Sequence, residues 1–367
     1  MCAFFTGLKP GVNENVLSSK TVIRQAYTSV SDAFELPKIL RLGKNLYAAF
    51  FFLMKLMPAR FILDCARDHG LIGPDTTIIE TTSGTFGLAL AILAAEAGYK
   101  LILVSDPAID APFKRRLEDL GAQVEIVREP AAVGGFQRAR LERMDQLQRE
   151  NPNHFWPSQY DNPHNPDAYA PLVEIVVESI GRFDYLVGTV GSGGSMCGTS
   201  NYARTIFPEL KAVGIDTFGS VLFGQPDQKR QLRGLGNSLM PRNLDHTIFD
   251  EVHWVSAAAA FNATRLLHRS HALFAGPTSG AAFMVARWIA EQNPDKAVVC
   301  LLPDEGYRYV ETIYSDEWLD QNGFSTGRLI ESPTKVEHPL AARPEWARLE
   351  WNRRSLSEVL AGQEVAT

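Results

Sequence analysis

Apolar residues along this chain gather into short unbroken runs that alternate with longer stretches spaced at three and four residues. Leu46 to Phe52 is the first such run and predicts a strand, and Ala59, Ile62, Leu63 and Ala66 then mark one face of a helix that stops at Gly70. Thr76 to Glu80 repeats the strand pattern, and Leu88, Ala91, Ile92 and Ala95 repeat the helical one, up to Gly98. Further strands are expected over Leu101 to Val104 and Val124 to Val127, with a charged helix over Pro112 to Leu120 and a long polar helix over Gly134 to Glu150. The second half reads as a helix over Ala168 to Ile180, a strand over Tyr185 to Val190, a helix after Ser195, helices around Ala257 to Arg269 and Gly280 to Glu291, and a strand over Ala297 to Leu302. Strand alternating with helix is the signature of parallel sheets wound by crossover helices, so the fold class expected is α/β.

The Asn- and Pro-rich stretch from Asn151 to Pro166 reads as a loop and a domain junction. That divides the chain into residues 1–160 and 161–330, with residues 1–40 an arm packed elsewhere and residues 331–367 a surface tail or partner-binding arm.

Two turns carry candidate chemistry. Between the strand ending at Glu80 and its helix stand Thr82, Ser83, Gly84 and Thr85, whose hydroxyls and backbone N–H groups sit where unpaired donors and the helix dipole favour an anion. After the strand ending at Val190 stands Gly191-Ser192-Gly193-Gly194-Ser195, whose glycines let successive N–H groups converge, as in a phosphate cradle. It is neither a Walker loop nor a clean Gly-x-Gly-x-x-Gly, because no Gly-Lys-Ser/Thr follows and the sixth position is Met196. Ordinary capped turns would give the same letters in both places. Lys55 opens a helix between apolar neighbours, where an ammonium has a lowered pKa and the neutral amine can form an imine; a snorkelling lysine is the plain alternative.

Composition narrows the classes. The 367 residues are 45% hydrophobic, enough for a full core and for two domains of ordinary size. A net charge of −6 offers no basic tract for nucleic acid or an anionic membrane. No leader pattern or bilayer-length apolar run is present, which predicts a cytoplasmic protein. Cysteines at 2, 65, 197 and 300 lack Cys-x-x-Cys spacing and the histidines lack His-Glu-x-x-His, so no disulfide framework or metal site is expected.

The order of the motifs is more specific than any one of them. The chain resembles the cysteine synthase (O-acetylserine sulfhydrylase) family of fold-type-II pyridoxal-phosphate enzymes over about Thr28 to Leu319. A lysine opens a helix, and a Thr-Ser-Gly-x-x-Gly turn follows a strand. Gly191 to Ser195 parallels the family's Gly-Thr-Gly-Gly-Thr, and Gly234-Leu235-Gly236 parallels its Gly-Ile-Gly loop. Pro277-Thr278-Ser279-Gly280-Ala281-Ala282 is similar to its Ser-Ser-Gly-Ala-Ala, and Pro303-Asp304-Glu305-Gly306-Tyr307-Arg308-Tyr309 to its Pro-Asp-x-Gly-x-Arg-Tyr. The resemblance implies two open three-layer αβα domains with mainly parallel sheets, like the tryptophan synthase β chain, and a homodimer.

It also implies roles. Lys55, fifteen residues before Gly70 as the family's lysine stands before its matching glycine, would hold pyridoxal 5'-phosphate as an internal aldimine and later shuttle the α-proton. Gly191, Ser192, Gly193, Gly194 and Ser195 would bind the cofactor phosphate, and Thr278 would face the pyridine nitrogen. Thr82, Ser83, Gly84, Thr85, Gln159 and Gly234 would hold the small amino-acid substrate, with Thr85 also near the cofactor. The reaction implied is β-replacement on an activated L-serine, of the O-acetyl or O-phospho type, through an α-aminoacrylate to cysteine or another β-substituted alanine. A β-eliminating lyase or dehydratase on the same scaffold, and a non-catalytic scaffold relative, are the alternatives.

Two departures stand out. Thr85 replaces the asparagine of the family's Thr-Ser-Gly-Asn-Thr-Gly, and Phe50-Phe51-Phe52-Leu53-Met54 replaces its Asn-Pro-x-Gly-Ser before the lysine. A register that sets Leu63 in the lysine's place needs a larger gap in the helix.

Overall fold

A computed structural model of the chain describes residues 26–82, 84–132, 135–232, 234–324, 327 and 329–361. Ser83 and most of the expected N-terminal arm lie outside the described residues. The elements run α1 (Val30–Phe34), β1 (Lys38–Arg41), β2 (Leu46–Phe50), α2 (Leu56–Asp68), β3 (Thr77–Thr81), α3 (Thr85–Ala97), β4 (Lys100–Ser105), α4 (Ala111–Asp119), β5 (Gln123–Ile126), α5 (Gly135–Glu150), β6 (His154–Phe155), α6 (His164–Asp167) and α7 (Ala170–Ile180). They continue β7 (Tyr185–Thr189), α8 (Gly194–Ile206), β8 (Lys211–Thr217), β9 (Glu251–Val255), α9 (Ala257–His271), α10 (Pro277–Gln292), β10 (Val298–Leu302), α11 (Asp316–Gln321), β11 (Thr334–Lys335), β12 (Trp346–Glu350) and α12 (Leu356–Ala361).

The strands form two sheets, one ordered β1-β2-β10-β7-β8-β9-β12-β11 and one ordered β5-β4-β3-β6. Parallel pairing joins β2, β10, β7, β8 and β9, and likewise β5, β4, β3 and β6. Side chains alternate between the faces of a strand with period two, and both faces here are apolar. In the larger sheet Leu186, Ala212, Val299 and Leu301 enter one core, while Val187, Val213, Val298 and Cys300 enter the other. In the smaller sheet Ile78, Leu101 and Leu103 face one core, and Ile79, Ile102 and Val104 the opposite one. Each sheet is therefore the middle of three layers. Helix α3 is buried on nearly every side from Phe86 to Ala94, so its apolar residues exceed the single stripe read from the sequence, and Ala95 of that stripe is exposed.

Sheet membership departs from the expected division at residue 160. Strands β1 and β2 precede the smaller sheet in sequence yet belong to the larger one, because β2 runs parallel to β10, with Leu46 opposite Val298. The expected surface tail is also corrected. Strand β12 pairs antiparallel with β9, setting Trp346 opposite Val255 and Glu350 opposite Glu251, and Trp346 and Trp351 are buried in the two cores of the large sheet. The Trp346 indole N–H donates to His253 Nδ1 at 2.9 Å, whose other ring nitrogen stands 2.7 Å from Glu251. Two buried indoles in apolar surroundings explain why residues 334–361 join the fold. The expected loop between Asn151 and Pro166 contains β6, which extends the smaller sheet, and the short α6.

No helix among the described residues is long and apolar enough to cross a membrane.

Candidate active site

Strands β3 and β7, one from each sheet, end in the two turns singled out above, and both turns open on the same cleft of about 580 Å³. Thr82, Gly84 and Thr85 line it from the smaller sheet; Lys55, Gln159, Gly191, Ser192, Ser195, Gly234 and Thr278 line the rest. Gly193 and Gly194 lie behind this wall. A Cβ on Gly193 would come within 2.7 Å of the Asn243 carbonyl oxygen and the Leu244 Cα, and one on Gly194 would collide with the Asn165 side-chain amide. Gly193 also holds a φ of +84°, which only glycine adopts at no steric penalty. These packing constraints fix the backbone of the loop at the N-terminus of α8, a helix of 13 residues. Unpaired N–H groups and the helix dipole favour an anion there.

Lys55 stands at the N-cap of α2 and its Nζ lies 3.3 Å from Ser192 Oγ. Burial lowers its ammonium pKa to about 8, against the opposing pull of Glu80. The amine is therefore neutral in a far larger fraction of molecules near neutral pH than an ordinary lysine. Glu80, only 1% exposed, is pushed up to about 7 by burial. Its carboxylate accepts from the Thr81 N–H at 2.8 Å, the Trp156 indole N–H at 3.0 Å and the Gln159 N–H at 3.3 Å. The Gln159 carbonyl in turn accepts from the Asn165 and Asn243 side-chain amides, and the Asn165 amide also reaches Ser192 Oγ at 3.3 Å. Through these bonds Glu80, Gln159, Asn165 and Ser192 form a polar chain leading to Lys55.

Opposite, Thr278 Oγ1 donates to Asp304 Oδ1 at 3.3 Å, and the Tyr309 hydroxyl donates to Asp304 Oδ2 at 2.7 Å. Burial raises the Asp304 carboxyl to about 6. Gly234 holds a φ of +88°, and a Cβ there would lie 2.9 Å from Thr278 Cγ2, so the loop can pass over Thr278 only as glycine. On the other side Gly84 N donates to Thr82 Oγ1 at 3.1 Å, and Gly87 lets α3 approach the Thr82 methyl closely.

Several residues at or beside the cleft escaped sequence reasoning. Glu80 looked like the last residue of a strand, although a carboxylate closing an apolar run was a usable signal. Arg140 lines the cleft from α5 and pairs with Asp106 at 3.2 Å, leaving its Nε buried without a partner. The polar face of α5 carries four arginines, and periodicity alone does not say which turns inward.

The family described as pyridoxal-phosphate dependent enzymes matches residues 54–304. An N-(2-amino-2-carboxyethyl)-L-glutamate synthase of Cupriavidus metallidurans is 35% identical over 272 residues, 72% of this chain and 80% of that one. Among solved structures, the O-acetylserine dependent cystathionine beta-synthase from Helicobacter pylori superposes with a TM-score of 0.73 at 26% identity, over 80% of this chain and 100% of the other. An O-ureido-L-serine synthase does so with a TM-score of 0.73 at 25% identity, over 81% and 100%. The chain belongs to the pyridoxal-phosphate dependent enzymes. Within that family it is a cysteine synthase-like enzyme of fold type II.

The residues present fit the cofactor. A desolvated amine, a glycine-walled helix N-terminus with no room for side chains behind it, and a buried hydroxyl opposite supply the donor types that an aldehyde, a phosphate and a ring nitrogen require.

Proposed function

We propose that the cleft carries out β-replacement on an activated L-serine, with the amine of an acidic amino acid as the incoming nucleophile. The observation that carries this reading is Lys55: a desolvated amine in hydrogen-bond reach of the glycine loop. The 35% identical relative supports the choice of nucleophile, since its name describes a glutamate whose amine bears a 2-amino-2-carboxyethyl group.

Each residue has a part in this reading. Lys55 would hold the cofactor through its neutral amine, and its free amine is the base that would take the α-proton of the substrate. The N–H groups of Gly191 to Ser195 and the hydroxyls of Ser192 and Ser195 hold the phosphate. Thr278 would take the ring nitrogen. Thr82, Ser83, Gly84 and Thr85, with Gln159 and Gly234, hold the substrate carboxylate and amine. When bound, pyridoxal phosphate supplies the electron sink for loss of the leaving group from Cβ. The Glu80 carboxylate keeps the Gln159 segment in place, and Arg140 lines the same cleft with its charge paired to Asp106. A homodimer in the cytoplasm is the setting that goes with this reading.

The purified protein is expected to show the visible absorption of a lysine-linked cofactor, and Lys55→Ala to lose it. Activated serine with L-glutamate is expected to yield the amine-linked product. An unchanged band in Lys55→Ala would overturn the lysine assignment, and pyruvate with ammonia in place of that product would mark elimination.

A further inference from the structure

The loop of residues 225–232 contributes Asp227, Gln228, Lys229, Arg230 and Leu232 to the cleft. Arg230 staples it down, donating to the Gly219 carbonyl, to Asp227 Oδ1 at 2.7 Å and to Ser238 Oγ at 2.6 Å. The Gln228 N–H adds a bond to the Gly219 carbonyl at 3.0 Å. Lys229, on this fixed loop, is exposed and is one of the residues lining the cleft, which places it at the rim.

The cations of the cleft differ in what they hold. Arg140 is paired with Asp106, Arg230 with Asp227 and Arg308 with Asp110, at 3.2, 2.7 and 3.2 Å. Lys55 is bonded to Ser192. Lys229 has no ion pair or hydrogen bond among the described residues, which leaves its charge available to a ligand entering the cleft.

The root of the same loop rests on the C-terminal segment. Gln225 Oε1 accepts from the Gly219 N–H at 3.0 Å, while its Nε2 donates to the Pro339 carbonyl at 3.2 Å. Gly224, with φ +83°, lies so close that a Cβ would stand 2.8 Å from Leu360 Cδ2 and 3.3 Å from Pro339 Cγ. Phe223 packs edge-on against Trp351, with ring centroids 5.2 Å apart. Gln225 thus bridges the two, with one end of its amide on the loop's anchor and the other on the C-terminal segment.

We propose that Lys229 takes a carboxylate of the incoming nucleophile, and that Gln225 is a positioning residue through which the segment Thr334–Ala361 holds the Lys229 loop at the cleft rim. The inference rests on reading the cleft as a β-replacement site, and it favours amines that carry a carboxylate as the nucleophile. An ammonium at the rim has only solvent-screened attraction to offer, worth up to about fivefold in affinity, so it selects among nucleophiles without driving the chemistry.

The test uses the holoenzyme with an activated serine and varied L-glutamate. Lys229→Ala is expected to raise the KM for L-glutamate about fivefold with kcat and the KM for the serine donor little changed, and Lys229→Arg to restore it. Glutarate, a dicarboxylate without the amine, should compete with L-glutamate and lose that competition in Lys229→Ala. Gln225→Ala and Gln225→Glu, the second keeping the acceptor for Gly219, should each raise the same KM. The double variant with Lys229→Ala should be no worse than Lys229→Ala alone, because the two residues act in series. An unchanged KM in Lys229→Ala overturns the proposal, and multiplying effects in the double variant overturn the role of Gln225. A wild-type protein that holds its cofactor band but turns over no nucleophile overturns the β-replacement reading itself. Turnover of L-glutamate with unaltered Lys229 variants sinks the rim contact alone.

Discussion

Two strand-to-helix turns face each other across one cleft and are built in opposite ways. In the turn after β7 the glycines are forced: Gly193 is in the left-handed region and packed against Asn243 and Leu244, and Gly194 is pressed on Asn165. In the turn after β3, Gly84 has an ordinary extended φ of −138°, and a Cβ there would meet nothing within 4 Å. The first turn is clamped from behind and offers backbone N–H groups in one fixed arrangement, which suits a group that stays bound through every turnover. The second turn has open space at Gly84 between the hydroxyl-bearing Thr82 and Thr85, which suits a ligand that arrives and leaves. On the proposed reading, the same pattern of a strand, a small-residue turn and a helix N-terminus would serve two different ligands, and what differs in the structure is the packing behind the turn.

Four changes would break or sharpen this contrast. The largest effect is expected from Gly194→Ala, whose Cβ has no space beside Asn165. A loss of about 2 kcal/mol of stability and of cofactor retention should follow, read by thermal unfolding and by visible absorbance after gel filtration. Next, Thr82→Ala should keep the cofactor band yet raise the KM for activated serine about tenfold, the loss of one hydrogen bond to a charged group. Loss of the band in that variant would mean that the two turns have been assigned the wrong way round.

The third effect is one of pH. Burial holds the Lys55 pKa at about 8, below its ordinary 10.5, and only the neutral amine attacks an aldehyde. The rate of cofactor uptake by the apoprotein should rise with pH and level off above about 8; a rate still climbing toward 10 would show an unperturbed lysine. The smallest effect belongs to Gly84→Ala, which should change stability by under about 1 kcal/mol and leave the band intact, since the added methyl meets open space. A loss as large as that of Gly194→Ala would erase the distinction.

Much of this arrangement could be read from the chain because local signals coincide there. A strand, a glycine-bearing turn and a helical stripe lie close together in sequence at each site, and their order along the chain matched one family. What escaped reading depends on distant partners. Strand β12, Trp-Ala-Arg-Leu-Glu, is interrupted by charge and makes sense only beside β9, where Arg348 reaches Glu251 at 3.2 Å and Trp346 meets His253. Strand β9 is itself a short run with Glu and His, and the histidine is buried because the distant indole and Glu251 occupy its two nitrogens. Arg140 and Lys229 were invisible for a related reason. Whether a charged residue faces a cleft depends on how two sheets are set against each other, which no local spacing records.

The central claim is that the turn after β7 holds the cofactor phosphate and the turn after β3 the substrate carboxylate. A crystal structure of the holoenzyme soaked with the product tests it most directly. The phosphate oxygens should lie within hydrogen-bond distance of the N–H groups of Gly191 to Ser195, and the product's carboxylate beside Thr82 and Thr85. A phosphate seated at Thr82 to Thr85, or a carboxylate in the glycine loop, would contradict the account.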